Sequence, residues 1–357
     1  MNLQEIIKAI KPTDKEIYKQ AQERTSNLIM PPRALGRLND IGEKICAIQG
    51  TMKPKVDSRM VFVMAGDHGI VEEKVAAFPQ EVTGQMMGAF IAGLASINVL
   101  SRQAKSKVLV ADIGAVCDVA AAPSDPDNFY IVRKVRKGTA NFTKGPAMSL
   151  AEAEKCIMAG FEIADEMIKR FKLNLIATGD MGIGNTTPSS AIGAVYTGLS
   201  VEAMTGYGSG IDNSAFKRKV DTIAKGLEVN KPDRNDPLDV LSKVGGLEIG
   251  AIAGVILAGA YHKIPVLIDG IISTAGALIA YGLCPVAGEY MVSGHKSVEQ
   301  GHIKMLEHMG LEPLVDLGLR LGEGTGAVMA MHSVEAGVRV ITEISTFAEA
   351  GVATKEM

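Results

Sequence analysis

Met60-Val61-Phe62-Val63-Met64-Ala65-Gly66-Asp67-His68-Gly69 sets the pattern on which this chain is built: a short apolar run that stops at glycine and charged residues. A strand with one wet face would alternate apolar and polar side chains. A run that is apolar at every position suits a strand covered on both faces, as in a parallel sheet between helices. The pattern recurs along the sequence. Val108-Leu109-Val110-Ala111 ends at Asp112-Ile113-Gly114, Leu173 to Thr178 ends at Gly179-Asp180, Val266-Leu267-Ile268 ends at Asp269-Gly270, and Tyr290-Met291-Val292 ends at Ser293-Gly294-His295. Helical stretches separate these runs, which predicts an α/β fold with a parallel sheet and crossover helices. Ligands of such sheets bind beyond the carboxyl ends of the strands. The acids and glycines that close the runs are therefore expected along one edge.

Both ends of the chain read differently. Residues 1–58 have helical periodicity, broken by Pro12 and by Pro31-Pro32, with helices expected from Lys15 to Arg24 behind Asp14 and from Asn39 to Ile48. The tail from Thr325 to Thr354 is also read as helical and is expected to pack against the N-terminal helices. This divides the chain into 1–58, an α/β unit at 59–324, and 325–357. Ala120 to Asn128 reads as a surface loop, and 205–215 as a glycine-rich one.

Composition narrows the function. The 357 residues are 47% hydrophobic and 22% charged, enough for a large core, and a net charge of −3 gives no footprint for nucleic acid or an anionic membrane. Aromatics are 4% with no Trp, which disfavours stacking on single strands. Cys46, Cys117, Cys156 and Cys284 have no metal-ligand spacing and read as free thiols of a reducing compartment. The start Met1-Asn2-Leu3-Gln4-Glu5 lacks the basic and apolar regions of a secretion signal, and no uninterrupted apolar stretch reaches the ~20 residues a bilayer requires. A cytoplasmic protein acting on a small molecule is expected.

Two segments could carry its chemistry. Gly322-Glu323-Gly324-Thr325-Gly326 sets one carboxylate among residues too small to shield it, at an expected strand-to-helix junction. That suits a general base and equally a tight turn with a solvated glutamate. Gly179-Asp180-Met181-Gly182-Ile183-Gly184-Asn185-Thr186-Thr187 strips a strand end of side chains and then opens a helix, an arrangement suited to phosphate. It lacks the lysine of a nucleoside-triphosphate loop. Lys217, Arg218, Lys219 and Lys296 are candidate cations, and Ser297 a candidate helix cap. Asp67-His68 supplies only two metal-ligand types and reads as a turn fixed by Asp67. Gln85, Met86 and Met87 lie on a helix opened by Phe78-Pro79-Gln80-Glu81 and could line an aromatic pocket or face the core. No adjacent acid pair marks a magnesium-pyrophosphate site, so a reaction on a monophosphate without metal or cofactor is expected.

Taken together, Gly182-Ile183-Gly184-Asn185-Thr186-Thr187, Pro79-Gln80-Glu81-Val82-Thr83 after Gly66-Asp67-His68-Gly69, and Leu319-Arg320-Leu321-Gly322-Glu323-Gly324-Thr325-Gly326 resemble the nicotinate-nucleotide:dimethylbenzimidazole phosphoribosyltransferase family. Pro31-Pro32-Arg33-Ala34-Leu35-Gly36-Arg37-Leu38 is similar to that family's N-terminal segment. The resemblance runs from about Leu28 to Val352. It implies a Rossmann-like sheet with a small helical domain built from both chain ends, and a dimer, a homodimer or a heterodimer with a paralogue. It further implies transfer of the 5-phosphoribosyl group of nicotinate mononucleotide to an aromatic acceptor in cobamide lower-ligand assembly.

On this resemblance Glu323 is the general base. Gly182, Gly184, Lys219 and Ser297 hold phosphate, Asp180, Met181, Asn185, Thr186 and Asp269 surround the ribose and its nucleotide, and Phe78, Gln85, Met86 and Leu321 form the acceptor pocket. Burial beside Leu321 is expected to raise the pKa of Glu323, since an ordinary glutamate near ~4.3 is a poor base at neutral pH. Two departures stand out. Asp180 occupies a position where the family commonly has Glu, and Ala77-Phe78 precede Pro79 where members often have Ser or Tyr. The second suggests a less polar pocket, which keeps phenolic or purine acceptors open beside dimethylbenzimidazole. A catalytically silent nucleotide-binding subunit is a further alternative, opposed by the intact Glu323 and phosphate loop.

Overall fold

Six strands, β1 (Arg59–Gly66), β2 (Ser106–Gly114), β3 (Asn128–Val132), β4 (Leu175–Met181), β5 (Val266–Ile268) and β6 (Met291–Ser293), form one sheet in the order β3-β2-β1-β4-β5-β6. Every pairing is parallel. The computed structural model describes residues 1–120, 125–208, 210 and 212–353. All eight residues of β1 are buried, as an apolar run covered on both faces requires. The chain runs outward from β1 through β2 to β3, then returns to β4 on the other side of β1, so the strand order reverses between β1 and β4.

The five expected runs correspond to β1, β2, β4, β5 and β6. β3 was not expected: it opens on Asn128, the last residue of the anticipated loop, and its three central residues are only half-buried at the sheet edge. Residues 121–124 of that loop lie outside the described residues. β4 begins at Leu175 rather than Leu173, because Lys172 closes the preceding helix in the left-handed conformation and Leu173 N–H returns to Ile168 O. Tyr290 belongs to a short 3₁₀ turn before β6.

Helices cover the sheet. Leu247–Tyr261, buried at every position except Tyr261, packs on β1, β4 and β2 and against Leu150–Phe171. The two backbones meet: a Cβ at Gly254 would lie 2.0 Å from Ile157 O, and one at Gly160 1.9 Å from Ala251 O. Leu150–Phe171 starts where a reciprocal Ser149/Glu152 capping box places it. The segment 81–103 is apolar and long enough to span a bilayer by composition alone, yet Gly93 turns the chain between Glu81–Ile91 and Ser96–Gln103.

The chain ends meet. Thr325–Glu343 lies along Arg37–Gln49 and also reaches β4 and β5. Arg24 donates to Ile341 O at 2.8 Å and Ile344 O at 3.1 Å, and pairs with Glu349. The tail is not one continuous helix: Ile344 is extended, Thr346 bridges to Leu28, and a short helix, Phe347–Ala350, follows. Residues 354–357 lie outside the described residues.

Candidate active site

A cavity of about 350 Å³ opens at the carboxyl edge of β4, β5 and β6, beside the point where strand order reverses. The sequence-expected site residues line it, with the exceptions of Asp269 and Gln85.

Glu323 enters from an irregular segment rather than from a strand: the residues directly before Gly322 have no regular structure. Gly322, Glu323 and Gly324 have φ of 85°, 63° and 90°. Such a turn lets the chain drop onto the end of β4, where a Cβ on Gly179 would fall 2.5 Å from Glu323 O. Glu323 is 6% exposed, and Ile97 N–H donates to its Oε2 at 3.3 Å. Burial raises its pKa to about 7, against the pull of the Ile97 N–H and with a further push from Asp269. The expected upward shift is present. Leu321 is not its cause, because that side chain is 56% exposed at the cavity mouth.

Asp269, expected at the ribose, is turned away from the cavity. Its Oδ2 accepts from Gly324 N–H at 3.0 Å and its Oδ1 from Ala327 N–H at 2.9 Å. It thereby anchors the first turn of Thr325–Glu343, and with it the Glu323 loop. His295 Nε2 lies 3.7 Å from the same carboxylate.

Asp180, at the end of β4, does face the cavity. Its Oδ2 accepts from Asn185 Nδ2 at 2.9 Å while Oδ1 has no hydrogen-bond partner. Burial, then the charge of Asp269, pushes its pKa well above the carboxylate range. Beyond it, Met181 to Asn185 run into the helix Thr186–Thr197, with Ile183 N–H donating to Thr83 Oγ1 at 3.1 Å. Gly182 and Gly184 leave the loop backbone uncovered, an anion-binding geometry at a helix N-terminus.

Of the four candidate cations, Lys219 reaches the cavity. Lys217 and Arg218 are exposed on the same helix, Asn213–Asn230, and Lys296 pairs with Asp316. Lys219 is 1% exposed, and its Nζ donates to Thr186 Oγ1 at 2.8 Å and Gly206 O at 3.2 Å. Burial lowers its pKa to about 8, with Glu299 opposing. Ser297 does not cap a helix as expected: its Oγ accepts from Glu299 N–H, and Gln300–His308 begins with Glu299 at the N-cap. Ser297 N–H is instead held by His302 Nδ1 at 3.1 Å.

On the opposite wall Val82 and Met86, one helical turn apart, line the cavity with half-exposed Phe78. Gln85 is exposed and outside the lining, because it is rotated about 100° from Met86 around the helix. Met87 is in the core.

A family model described as phosphoribosyltransferase matches residues 10–352. The chain is 51% identical to the nicotinate-nucleotide--dimethylbenzimidazole phosphoribosyltransferase of Desulforamulus reducens and 49% identical to that of Geobacter sulfurreducens, covering 98% of each chain in both cases. It belongs to this phosphoribosyltransferase family. The crystal structure of the Thermus thermophilus nicotinate-nucleotide-dimethylbenzimidazole phosphoribosyltransferase superposes with a TM-score of 0.89 at 43% identity, over 96% of this chain and 100% of that one.

Several residues of this phosphoribosyltransferase site were not assigned to it from the sequence. His68 Nε2 and Glu248 Oε1 form a fully buried pair at 2.7 Å behind the phosphate loop. Burial pushes the imidazole pKa down, but Glu248 outweighs it and the net shift is upward. Asp67, expected to fix its own turn, instead accepts from Val116 N–H at 2.8 Å and so ties the end of β1 to the segment after β2. Tyr207, stacked on Phe216 at 4.8 Å, also lines the cavity, as do Arg320 and Glu299. Arg320 falls inside the motif that carries Glu323, but nothing in its own spacing marks it as a site residue.

Proposed function

We propose that this enzyme transfers the 5-phosphoribosyl group of nicotinate mononucleotide to 5,6-dimethylbenzimidazole, giving the α-riboside 5′-phosphate and nicotinate for cobamide assembly. The observation that carries this reading is Glu323, a buried carboxyl with a pKa of about 7 on the same cavity as a glycine loop and a buried lysine. The acceptor follows the relatives' names, and the apolar wall of Val82, Met86 and Phe78 suits a flat methylated bicycle.

The phosphate sits against Gly182, Gly184, Thr186, Lys219 and Ser297, which places the ribose beside Asp180 and Asn185. The C1′–N bond to the pyridinium breaks with its electron pair going to that nitrogen, so the leaving group departs neutral at the ring and needs no acid. An acceptor nitrogen bonds to C1′ from the opposite face, inverting β to α. Its other ring nitrogen gives up the N–H proton to Glu323, whose Oε2 is held by Ile97 and whose Oε1 is left for the acceptor. Asp180, with one oxygen unpaired, takes a ribose hydroxyl.

Glu323→Gln tests the assignment. Turnover falls by about 10²–10⁴-fold, while nicotinate mononucleotide binding, measured by calorimetry, stays within a few-fold of the parent. Near-normal turnover of the variant would remove Glu323 as the base.

A further inference from the structure

We infer that Asn98 is a positioning residue for the transfer reaction: it fixes the first turn of Ser96–Gln103 so that Ile97 N–H holds the Glu323 carboxylate in one orientation. The inference rests on reading Glu323 as the base. Asn98 is outside the lining of the cavity and is 1% exposed. Its Oδ1 accepts from Ala95 N–H at 3.2 Å, and its Nδ2 donates to Phe90 O at 3.0 Å and Asn128 Oδ1 at 3.3 Å. One amide therefore ties together the end of Glu81–Ile91, the start of the next helix and the start of β3.

Both sides of the chemistry meet at this node. Glu81–Ile91 carries Val82 and Met86 on the acceptor wall. Ile97 lies in the first turn of its helix, where backbone N–H groups have no partner inside the helix, and its N–H goes to Glu323, 226 residues away. Alanine at 98 would leave Ala95 N–H without its acceptor and free the turn to shift. A donor on Glu323 Oε2 favours the charged carboxylate, so loosening it makes Glu323 harder to ionise. The titratable groups facing Glu323 from packed elements are Asp269 after β5, Asp180 at the end of β4, and His295 after β6. The first turn of Ser96–Gln103 contributes no acid.

The test is the pH profile of kcat/KM for Asn98→Ala and for a protein carrying the α-hydroxy acid analogue of isoleucine at position 97, which replaces that one N–H by an ester oxygen. In both, the acidic limb should move up by about half a pH unit or more, a loss of about threefold or more below the pKa. KM for nicotinate mononucleotide should stay unchanged. A residue that only stabilised the fold would lower the amount of active enzyme and leave the limb where it is. Should Asn98→Ala not fold, Asn98→Ser takes its place in the same profile, and an unmoved limb in whichever of the two folds overturns the role of Asn98. An unmoved limb in a folded ester variant overturns the inference while the Glu323→Gln result stands; turnover retained in Glu323→Gln removes the base assignment itself.

Discussion

Glu323 combines two conditions a glutamate normally avoids: a left-handed backbone and a nearly dry carboxyl. The first costs on the order of 1 kcal/mol and persists because glycines on either side remove competing clashes. The second yields a base that is half-ionised near pH 7 rather than permanently charged. Lys219 carries the complementary shift, downward to about 8. The signs determine the profile. Glu323 accepts a proton only when ionised, so kcat/KM rises with pH through about 7. Lys219 attracts phosphate only when protonated, so kcat/KM falls again above about 8. A narrow bell between these values is expected from initial rates at subsaturating nicotinate mononucleotide, and Lys219→Met should abolish its alkaline limb. A flat profile from about pH 6 to 9 would contradict both assignments. Glu323 was legible in the sequence because glycines on both sides of an acid are unusual. The job of Asp269 was not, since an acid closing a strand looks the same whether it faces a ribose or a helix N-terminus.

Among the elements, the strands were readable because burial on both faces leaves an unbroken apolar run. β3 escaped because its three central residues are only half-buried, unlike those of the other edge strand β6, and Asn128 disguised its start. Helix faces were read less well: Gln85 and Met86 are neighbours in sequence but not on the surface of a helix, and periodicity alone did not say which one turned inward. The pair Leu150–Phe171 and Leu247–Tyr261 offers a sharp test of how the layer beneath the site is held. Its contact is backbone against backbone at Gly254, so Gly254→Ala has no side chain to push aside and must separate the helices. A loss of about 2–4 kcal/mol in urea unfolding, with the slope unchanged, is expected. A loss under about 0.5 kcal/mol would mean the helices have slack.

For the molecule as a whole, the site is assembled from segments far apart in the chain, and this limits what one sequence can disclose. His68 and Glu248 are 180 residues apart and share no motif; only the sheet brings them within 2.7 Å. The seat of Glu323 on Gly179 is a junction of the same kind, because the base is positioned by a strand that must already be in place. That has a consequence in time. During refolding from denaturant, the helices and the phosphate loop of residues 180–187 can form before residues 322–327 dock, whereas turnover has to wait for that docking. Recovery of activity should therefore lag recovery of far-ultraviolet circular dichroism, with nicotinate mononucleotide binding returning ahead of catalysis. Simultaneous return of all three would show that the docking is part of the first cooperative event. The last-placed residue of the site would then be its clock: an enzyme that can grip its donor substrate before it is able to use it.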